Sequence, residues 1–387
     1  MHGAAVVAGV GESLYYKRGG SPHTEFQLAA TAIRGAVADA GLELADVDGF
    51  VSYMDRNSPV RLSAALGTGD LRFSAQTFGG GGNGAAAAVT LADAAVTAGY
   101  ADCVVVFRAL AQGQFHRYGA ASVSARAEGP SAFRAPYGLF TPAQTCAVQT
   151  MRYMHDHGVT QDSLAEVVLA SYHHAQANPR AIRYGRPLTR DEYHASRWIA
   201  EPFHLYDCCP ENDGAAAVVV VSAARSADTA KPPVSIVAGA HGLEHRSGVD
   251  GFAEWNFPTA HHRLVGTQLW ARAGVGPSDV PVAQFYENFS GPVLMAMAEM
   301  GFCTPEELND FVAGGRLVVG GGGLPINTSG GNLAEGYIHG FGNVVEAVRQ
   351  VRGESCNQVG GPEGVELSLS VSGPGFAPGS AILFGKA

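Results

Sequence analysis

Charge is what this chain has least of. Only 16% of its 387 residues are Asp, Glu, Lys or Arg, against about a quarter in ordinary globular domains. Disordered tails and coiled coils need far more charge, so both are excluded. Basic residues are the scarcer sign: 25 Lys and Arg face 35 Asp and Glu, leaving a formal net charge of −10. No block of Lys or Arg occurs, which disfavours nucleic acid and anionic membrane as main partners. Six cysteines (Cys103, Cys146, Cys208, Cys209, Cys303, Cys356) include no C-x-x-C pair, and 14 histidines include no H-E-x-x-H. The expectation is a metal-free protein whose thiols are small buried residues in a reducing cytoplasm. The N-terminus MHGAAVVAGVGES lacks the basic and long apolar regions of a secretory signal. The longest uncharged run of small and apolar residues, Gly214 to Ala224, is too short to span a bilayer.

What the chain does have is glycine, 51 of them without a G-X-Y period, and a 46% hydrophobic share. That composition describes a compact α/β protein of two or three domains, or one large duplicated domain. So little surface charge also favours a broad subunit contact and therefore a homo-oligomer.

Three pairs of segments recur in order. Val6-Val7-Ala8-Gly9 returns as Ile236-Val237-Ala238-Gly239. Ala40-Gly41 and Asp46-Val47 lead to Gly49-Phe50-Val51, as Ala273-Gly274 and Asp279-Val280 lead to Val282-Ala283-Gln284-Phe285. Gly81-Gly82-Asn83 opens a helical run ending near Gly99, and Gly330-Gly331-Asn332 opens one ending near Val351. Strands are expected after each, at Cys103–Phe107 and Val365–Val371. Three ordered coincidences argue for a duplicated unit, with halves 1–225 and 232–387 joined through a linker in Ser226 to Pro233. Residues from about 110 to 205 have no counterpart and form an inserted loop region, the kind of segment that shapes a pocket or lid. Within it Met151–His157 belongs to one helix and Thr160 caps the next, which stops before Asn178-Pro179. Thr189-x-x-Glu192 and Thr304-Pro305-x-Glu307 are capping boxes. His173-His174 and His261-His262 sit on polar segments and are expected at the surface or facing a partner.

Three motifs stand out. Gly79 to Gly84 satisfies G-x-G-x-x-G, but Asp102 precedes rather than closes the next strand, so a dinucleotide site is disfavoured. The geometry is that of an elbow before a helix, without a nucleophile. Phe285-Tyr286-Glu287-Asn288-Phe289 follows a strand of the second half. Leu324 to Gly340 interleaves glycines with polar groups, and backbone amides in such a turn can hold a developing oxyanion.

These features resemble the thiolase superfamily over essentially the whole chain: a duplicated core with an inserted loop region, a glycine turn before the first core helix, and N-x-x-G-G-x-L-x-x-G near the C-terminus. Asp207-Cys208-Cys209-Pro210-Glu211-Asn212-Asp213-Gly214 is similar to sterol-carrier-type thiolases. The resemblance implies a thiolase-like duplicated αβαβα five-layer core, a tight homodimer and acyl-CoA substrates. It also exposes departures. Gly81 stands where thiolases carry their nucleophilic Cys, Tyr286 takes the place of their Asn or His, and Tyr337 that of their second His. Their last Cys has no equivalent in Val371-Ser372-Gly373-Pro374-Gly375, so thiolytic transfer through a Cys thioester is unavailable.

One branch carries these substitutions: the steroid side-chain-cleaving aldolases, often called lipid-transfer proteins. Arg197-Trp198-Ile199-Ala200-Glu201-Pro202, Leu324-Pro325-Ile326-Asn327-Thr328 and Tyr337-Ile338-His339-Gly340 resemble it closely. The resemblance implies retro-aldol cleavage of a β-hydroxyacyl-CoA, with a 17-hydroxysteroid C-22 carboxyl-CoA giving a 17-ketosteroid and propionyl-CoA as the expected case. It further implies a small OB-fold partner linked to an acyl-CoA hydratase. No cofactor is expected, because CoA is part of the substrate. Tyr286 and Tyr337 match the family's catalytic tyrosines; Gly81, Asn288, Gly330, Gly331 and His339 are the expected substrate-binding neighbours. Retro-aldol chemistry needs a base for the β-hydroxyl, stabilisation of the thioester enolate and a proton for the α-carbon. Tyrosine can donate and accept, but with an ordinary pKa near 10 it needs help to act as a base. Tyr337, beside the second glycine turn and His339, is the better candidate base, with Tyr286 as donor or relay. The competing expectation is a non-catalytic acyl-CoA or sterol-binding scaffold subunit.

Overall fold

The computed structural model describes residues 5–78, 81–115, 128, 129, 131–247 and 256–387. Its first part runs β1 (Ala5–Glu12), β2 (Tyr16–Lys17), α1 (Glu25–Ala40), β3 (Gly49–Tyr53), α2 (Pro59–Leu66), β4 (Phe73–Thr77), α3 (Ala85–Thr97) and β5 (Cys103–Ala111). A stretch of short pieces follows: α4 (Ser131–Arg134), α5 (Pro142–His157), α6 (Gln161–Ala175), α7 (Arg190–Ala195) and the pair β6 (Trp198–Ala200) and β7 (Phe203–His204). Then come β8 (Asn212–Ser222), β9 (Val234–Gly242), α8 (Arg263–Ala273), β10 (Ala283–Phe285) and α9 (Ser290–Glu299). The chain finishes with α10 (Leu308–Val312), α11 (Phe341–Arg352), β11 (Leu367–Ser372) and β12 (Gly379–Lys386).

The main sheet has the order β10-β11-β12-β9-β1-β8-β5-β3-β4, with β2 on β8. On one side of the β9–β1 seam, β1 is antiparallel to β8 and β8 to β5, while β5, β3 and β4 are parallel. On the other side, β9 is antiparallel to β12 and β12 to β11, while β11 and β10 are parallel and Ala283 adds a parallel bridge to Ile326. The seam itself is brief, with Val6 opposite Ser235 and Val7 opposite Val234.

Helices complete the layers. α3 touches β3, β5 and β8 and also β9 and β12; α11 touches β8 and also β10, β11 and β12. Both therefore lie between the two sets of strands, while α1 covers the far face of one set and α8 that of the other. The result is helix, sheet, helix, sheet, helix, the expected thiolase-like α/β core. Sequence explains the centre. α3 reads AAAAVTLADAAVT, and a helix enclosed by two sheets needs narrow side chains. β5 is apolar on both faces: Val104 and Val106 join the core with Val89 and Ala92, while Cys103, Val105 and Phe107 join α1. That unbroken run is what a strand covered on both sides requires.

Several local expectations hold. The Thr189 and Thr304 capping boxes are both formed. Thr160 stands at the start of α6, but its hydroxyl turns to Ser163 and Asn309 instead of capping an amide. Others are corrected. The helical run expected from Gly330 to Val351 is broken: Gly331–Glu335 makes one wide turn, residues 336–340 are not helical, and α11 begins at Phe341. Gly336 and Gly340 adopt conformations outside the helical region (φ 179° and 76°), which interrupts the run. The histidine pairs are not all superficial. His173 is exposed, but His174 and His262 are fully buried and His261 nearly so. α6 packs on α9 and on the turn 331–335, so successive residues fall on different faces and His174 accepts the Val319 amide at 3.1 Å. Nor are all thiols buried: Cys103 and Cys146 are, whereas Cys356 is exposed.

Candidate active site

Tyr286 is the first residue beyond β10. Its amide donates to Val371 at 2.9 Å and so extends the ladder with β11. The side chain is buried, and its ring is gripped by two backbones. A Cβ on Gly82 would lie 2.0 Å from its Cε2, and one on Gly340 would lie 2.4 Å from its Cδ2. Any side chain at either position would displace the ring, which is why both are glycine.

Tyr337 reaches the same place from the broken helical run. Its amide donates to Asn212 Oδ1 at 2.5 Å, tying it to the start of β8. The hydroxyls of Tyr286 and Tyr337 are 2.8 Å apart, so one donates to the other. Their environments differ. Burial, then the nearby Tyr337 and Cys209, push the Tyr286 pKa well above 10, so it keeps its proton. Tyr337 is only partly buried. An O–H held against a neighbouring phenol favours that neighbour's ionised form, so the pair is one proton donor and one potential base.

His339 completes the cluster. Its ring meets that of Tyr337 edge to face, with centroids 5.3 Å apart. Burial, and then the Arg108 charge, hold its pKa well below 6.5, so the imidazole is neutral. Gly81 stands next to the Gly82 that touches Tyr286. Its φ is 103°, and a Cβ there would meet nothing within 4 Å. Asn288 is buried and plays a bracing part: its Oδ1 accepts the Phe289 amide at 2.9 Å and its carbonyl accepts the Cys209 amide at 3.0 Å. The Cys209 thiol is raised well above its usual pKa by burial, then by Cys208 and Glu287, and so is no nucleophile.

At the expected oxyanion turn, Gly330 and Gly331 lie against side chains of the protein itself. Glu287 is fully buried, and burial pushes its carboxyl up to about 8, opposed by hydrogen bonds from the turn's Asn332 and Leu333 amides. A Cβ on Gly331 would lie 1.9 Å from Glu287 Oε1, and one on Gly330 would lie 3.0 Å from Ala175 Cβ. The Asn332 and Leu333 amides of the turn therefore meet a side chain of the protein itself, and the Gly330 amide donates to the Asn327 carbonyl at 2.9 Å. Among the described residues no group of three His, Cys, Asp or Glu side chains is placed to hold a metal. Among them, too, no helix is long and apolar enough to cross a membrane.

Sequence reading passed over Tyr53, Asp55, Arg108 and Asn212. One signal was present: Arg108 is a lone charge inside the apolar strand CVVVFRALA, and a fully buried Arg almost always has a partner.

The architecture places the chain first among proteins of thiolase fold. Residues 252–383 match the model of the thiolase C-terminal domain-like family. Human mitochondrial 3-ketoacyl-CoA thiolase superposes with a TM-score of 0.69 at 13% identity, over 100% of this chain and 99% of that one, a likeness of fold alone. Nearer relatives are more specific. The 17-hydroxy-3-oxo-4-pregnene-20-carboxyl-CoA lyase of Mycobacterium tuberculosis is 41% identical over 100% of both chains. The steroid side-chain-cleaving aldolase of Thermomonospora curvata is 40% identical over 100% of this chain and 98% of its own. A solved structure described as an Ltp2-ChsH2(DUF35) aldolase superposes with a TM-score of 0.90 at 40% identity, covering 99% of this chain and 98% of that one. The chain belongs to the steroid side-chain-cleaving aldolase family, the carbon–carbon lyase branch of the thiolase fold.

Proposed function

We propose that this chain performs its retro-aldol cleavage on a 17-hydroxysteroid C-22 carboxyl-CoA, releasing a 17-ketosteroid and propionyl-CoA. The observation that carries this reading is the 2.8 Å contact between the Tyr286 and Tyr337 hydroxyls, one buried and one partly open. Tyr337, ionised with the help of the Tyr286 O–H, takes the proton of the β-hydroxyl. The hydroxyl oxygen becomes the ketone as the C–C bond breaks, and the bonding pair moves into the thioester as an enolate. The enolate is then protonated at its α-carbon, which the tyrosine pair can supply. No electron leaves the system, so no redox cofactor is required, and CoA enters with the substrate. Gly81 leaves space beside the pair for the acyl chain, and His339 and Asn288 line or brace the same pocket.

The relative named for a DUF35 partner supports a comparable assembly here, a homodimer bearing a small OB-fold protein linked to an acyl-CoA hydratase. The matching strand orders on either side of the β9–β1 seam support two halves, 1–225 and 232–387, of one duplicated fold. The cytoplasm is the compartment that fits the acyl-CoA substrate. The test is direct. The chain, alone and with a co-expressed OB-fold partner, is incubated with the carboxyl-CoA substrate and propionyl-CoA is measured. Release that depends on both tyrosines is expected. Tight binding of the acyl-CoA without turnover in either state would make the chain a scaffold subunit instead.

A further inference from the structure

Behind Tyr337 lies a buried charged assembly that the retro-aldol scheme leaves unused. Arg108 is 2% exposed and its guanidinium faces three groups. Nη1 pairs with Asp55 Oδ2 at 3.1 Å and also donates to the Ala109 carbonyl. Nη2 lies 3.1 Å from His339 Nδ1, with Nε at 3.4 Å from the same atom. Asp55 is held in turn by the Ala109 amide at 2.9 Å. Tyr53 covers the guanidinium, its ring centroid 5.9 Å away, and donates its hydroxyl to the His339 carbonyl at 2.7 Å. Glu25 is the next charge, acting on this group through space.

Two facts make this more than packing. Arginine only donates hydrogen bonds, so His339 Nδ1 must be the acceptor, and a neutral imidazole then carries its proton on Nε2. His339 also has φ 53°, a left-handed conformation that a non-glycine residue adopts at a cost. Strain of this kind persists only where surrounding contacts over-determine it. Here the Tyr53 hydroxyl pins the carbonyl while Arg108 pins the ring.

We propose that Arg108 is a positioning residue of the cleavage reaction: anchored by Asp55, it fixes His339 as the neutral Nε2–H imidazole and sets that ring against Tyr337. The proposal rests on the tyrosine-pair reading. It goes beyond it by assigning the source of Tyr337's orientation to a residue on β5, across the seam from the turn that carries the tyrosine. A fixed neutral imidazole holds one ring orientation and one charge state against Tyr337, whereas an imidazolium or the other tautomer would break the Arg108 contact that sets them.

The test starts with the wild-type full-length chain labelled with 15N-histidine. The expected spectrum at pH 7 shows His339 with an acceptor-type Nδ1 and a protonated Nε2; a protonated Nδ1 overturns the proposal whatever the activity. In Arg108→Lys the compact ammonium cannot reach Asp55 and Nδ1 with the same fork geometry. The kcat is expected to fall about tenfold or more with KM little changed, in the range seen for residues that orient a reacting group from behind. The tautomer signal should become mixed, and an acid limb should enter the pH–rate profile. Unchanged kcat and tautomer would overturn the proposal. Should that variant not fold, His339→Asn decides, because Asn tolerates the left-handed backbone; full turnover there would overturn it. Loss of the tyrosine-pair reading would show separately, as an active Tyr337→Phe enzyme with the His339 tautomer intact.

Discussion

Two glycine turns hold corresponding places in the two sets of strands, and they have opposite fates. Gly81-Gly82-Asn83 follows β4 and leads into α3; Gly330-Gly331-Asn332 follows the strand-like bridge at Ile326 and leads toward α11. In the first, Gly81 has open space where a side chain would go. In the second, a Cβ on the equivalent Gly330 would meet Ala175 Cβ at 3.0 Å, and the Glu287 carboxyl lies against the next residue, Gly331, and receives the Asn332 and Leu333 amides. The first turn runs directly into an unbroken helix, while the second stops at Gly336 and releases Tyr337 and His339 into the site. On the proposed reading, the first turn leaves room and the second leads to the reacting side chains. The two turns thus differ in what lies against them, because a single buried carboxyl enters one of them.

The largest test of this division is removal of the chemistry. Tyr337→Phe and Tyr286→Phe should each lower propionyl-CoA release at least about a hundredfold, the lower edge of general acid–base effects. Circular dichroism should remain native; near-wild-type rates in either variant would dissolve the contrast between the turns. Next comes the filling of the turns. Gly81→Ala meets no neighbour but carries the backbone cost of a conformation almost confined to glycine (φ 103°, ψ −136°), about 1–3 kcal/mol. Gly331→Ala adds to a left-handed backbone cost of about 1–2 kcal/mol (φ 55°) the collision with the buried Glu287, about 1–3 kcal/mol for overpacking. Denaturant melts should therefore rank Gly331→Ala below Gly81→Ala, and equal losses would mean that the second turn is not closed.

The smallest effect is a slope. Glu287 has its folded pKa raised from 4.5 to about 8, so the native state binds the extra proton across that window. Stability from this group is present below pH 4.5 and is lost as pH rises toward 8. Glu287→Gln cannot titrate and should flatten the fall in melting temperature between those values. An unchanged slope would show that the carboxyl is not held as described.

Much of the site was legible in the sequence because its residues are unusual for their local structure. A tyrosine after a buried strand and another amid glycines are hard to explain by packing alone, and resemblance to thiolases gave both a place. The glycine turns were legible too, but not their occupancy. Nothing in Gly330-Gly331 shows that a glutamate 44 residues earlier, in number, would enter it. The buried histidines failed for a related reason. His174 and His262 lie in segments rich in polar residues, and only the packing of α6 on α9 and of residue 262 beneath the Ser372 carbonyl shows which rings turn inward.

The sequence by itself determined the layered α/β core, through apolar strands and an alanine helix too narrow for any surface. Its resemblance to thiolases also put Gly81 at the place expected for their nucleophile. Only the tertiary structure decided that Tyr286 and Tyr337 share a hydrogen bond, that Glu287 closes one turn, and that Arg108 reaches His339 from another strand. Periodicity records which way a side chain points from its own element. A contact between side chains 51 or 231 residues apart depends on how those elements pack, and that is written in no local pattern.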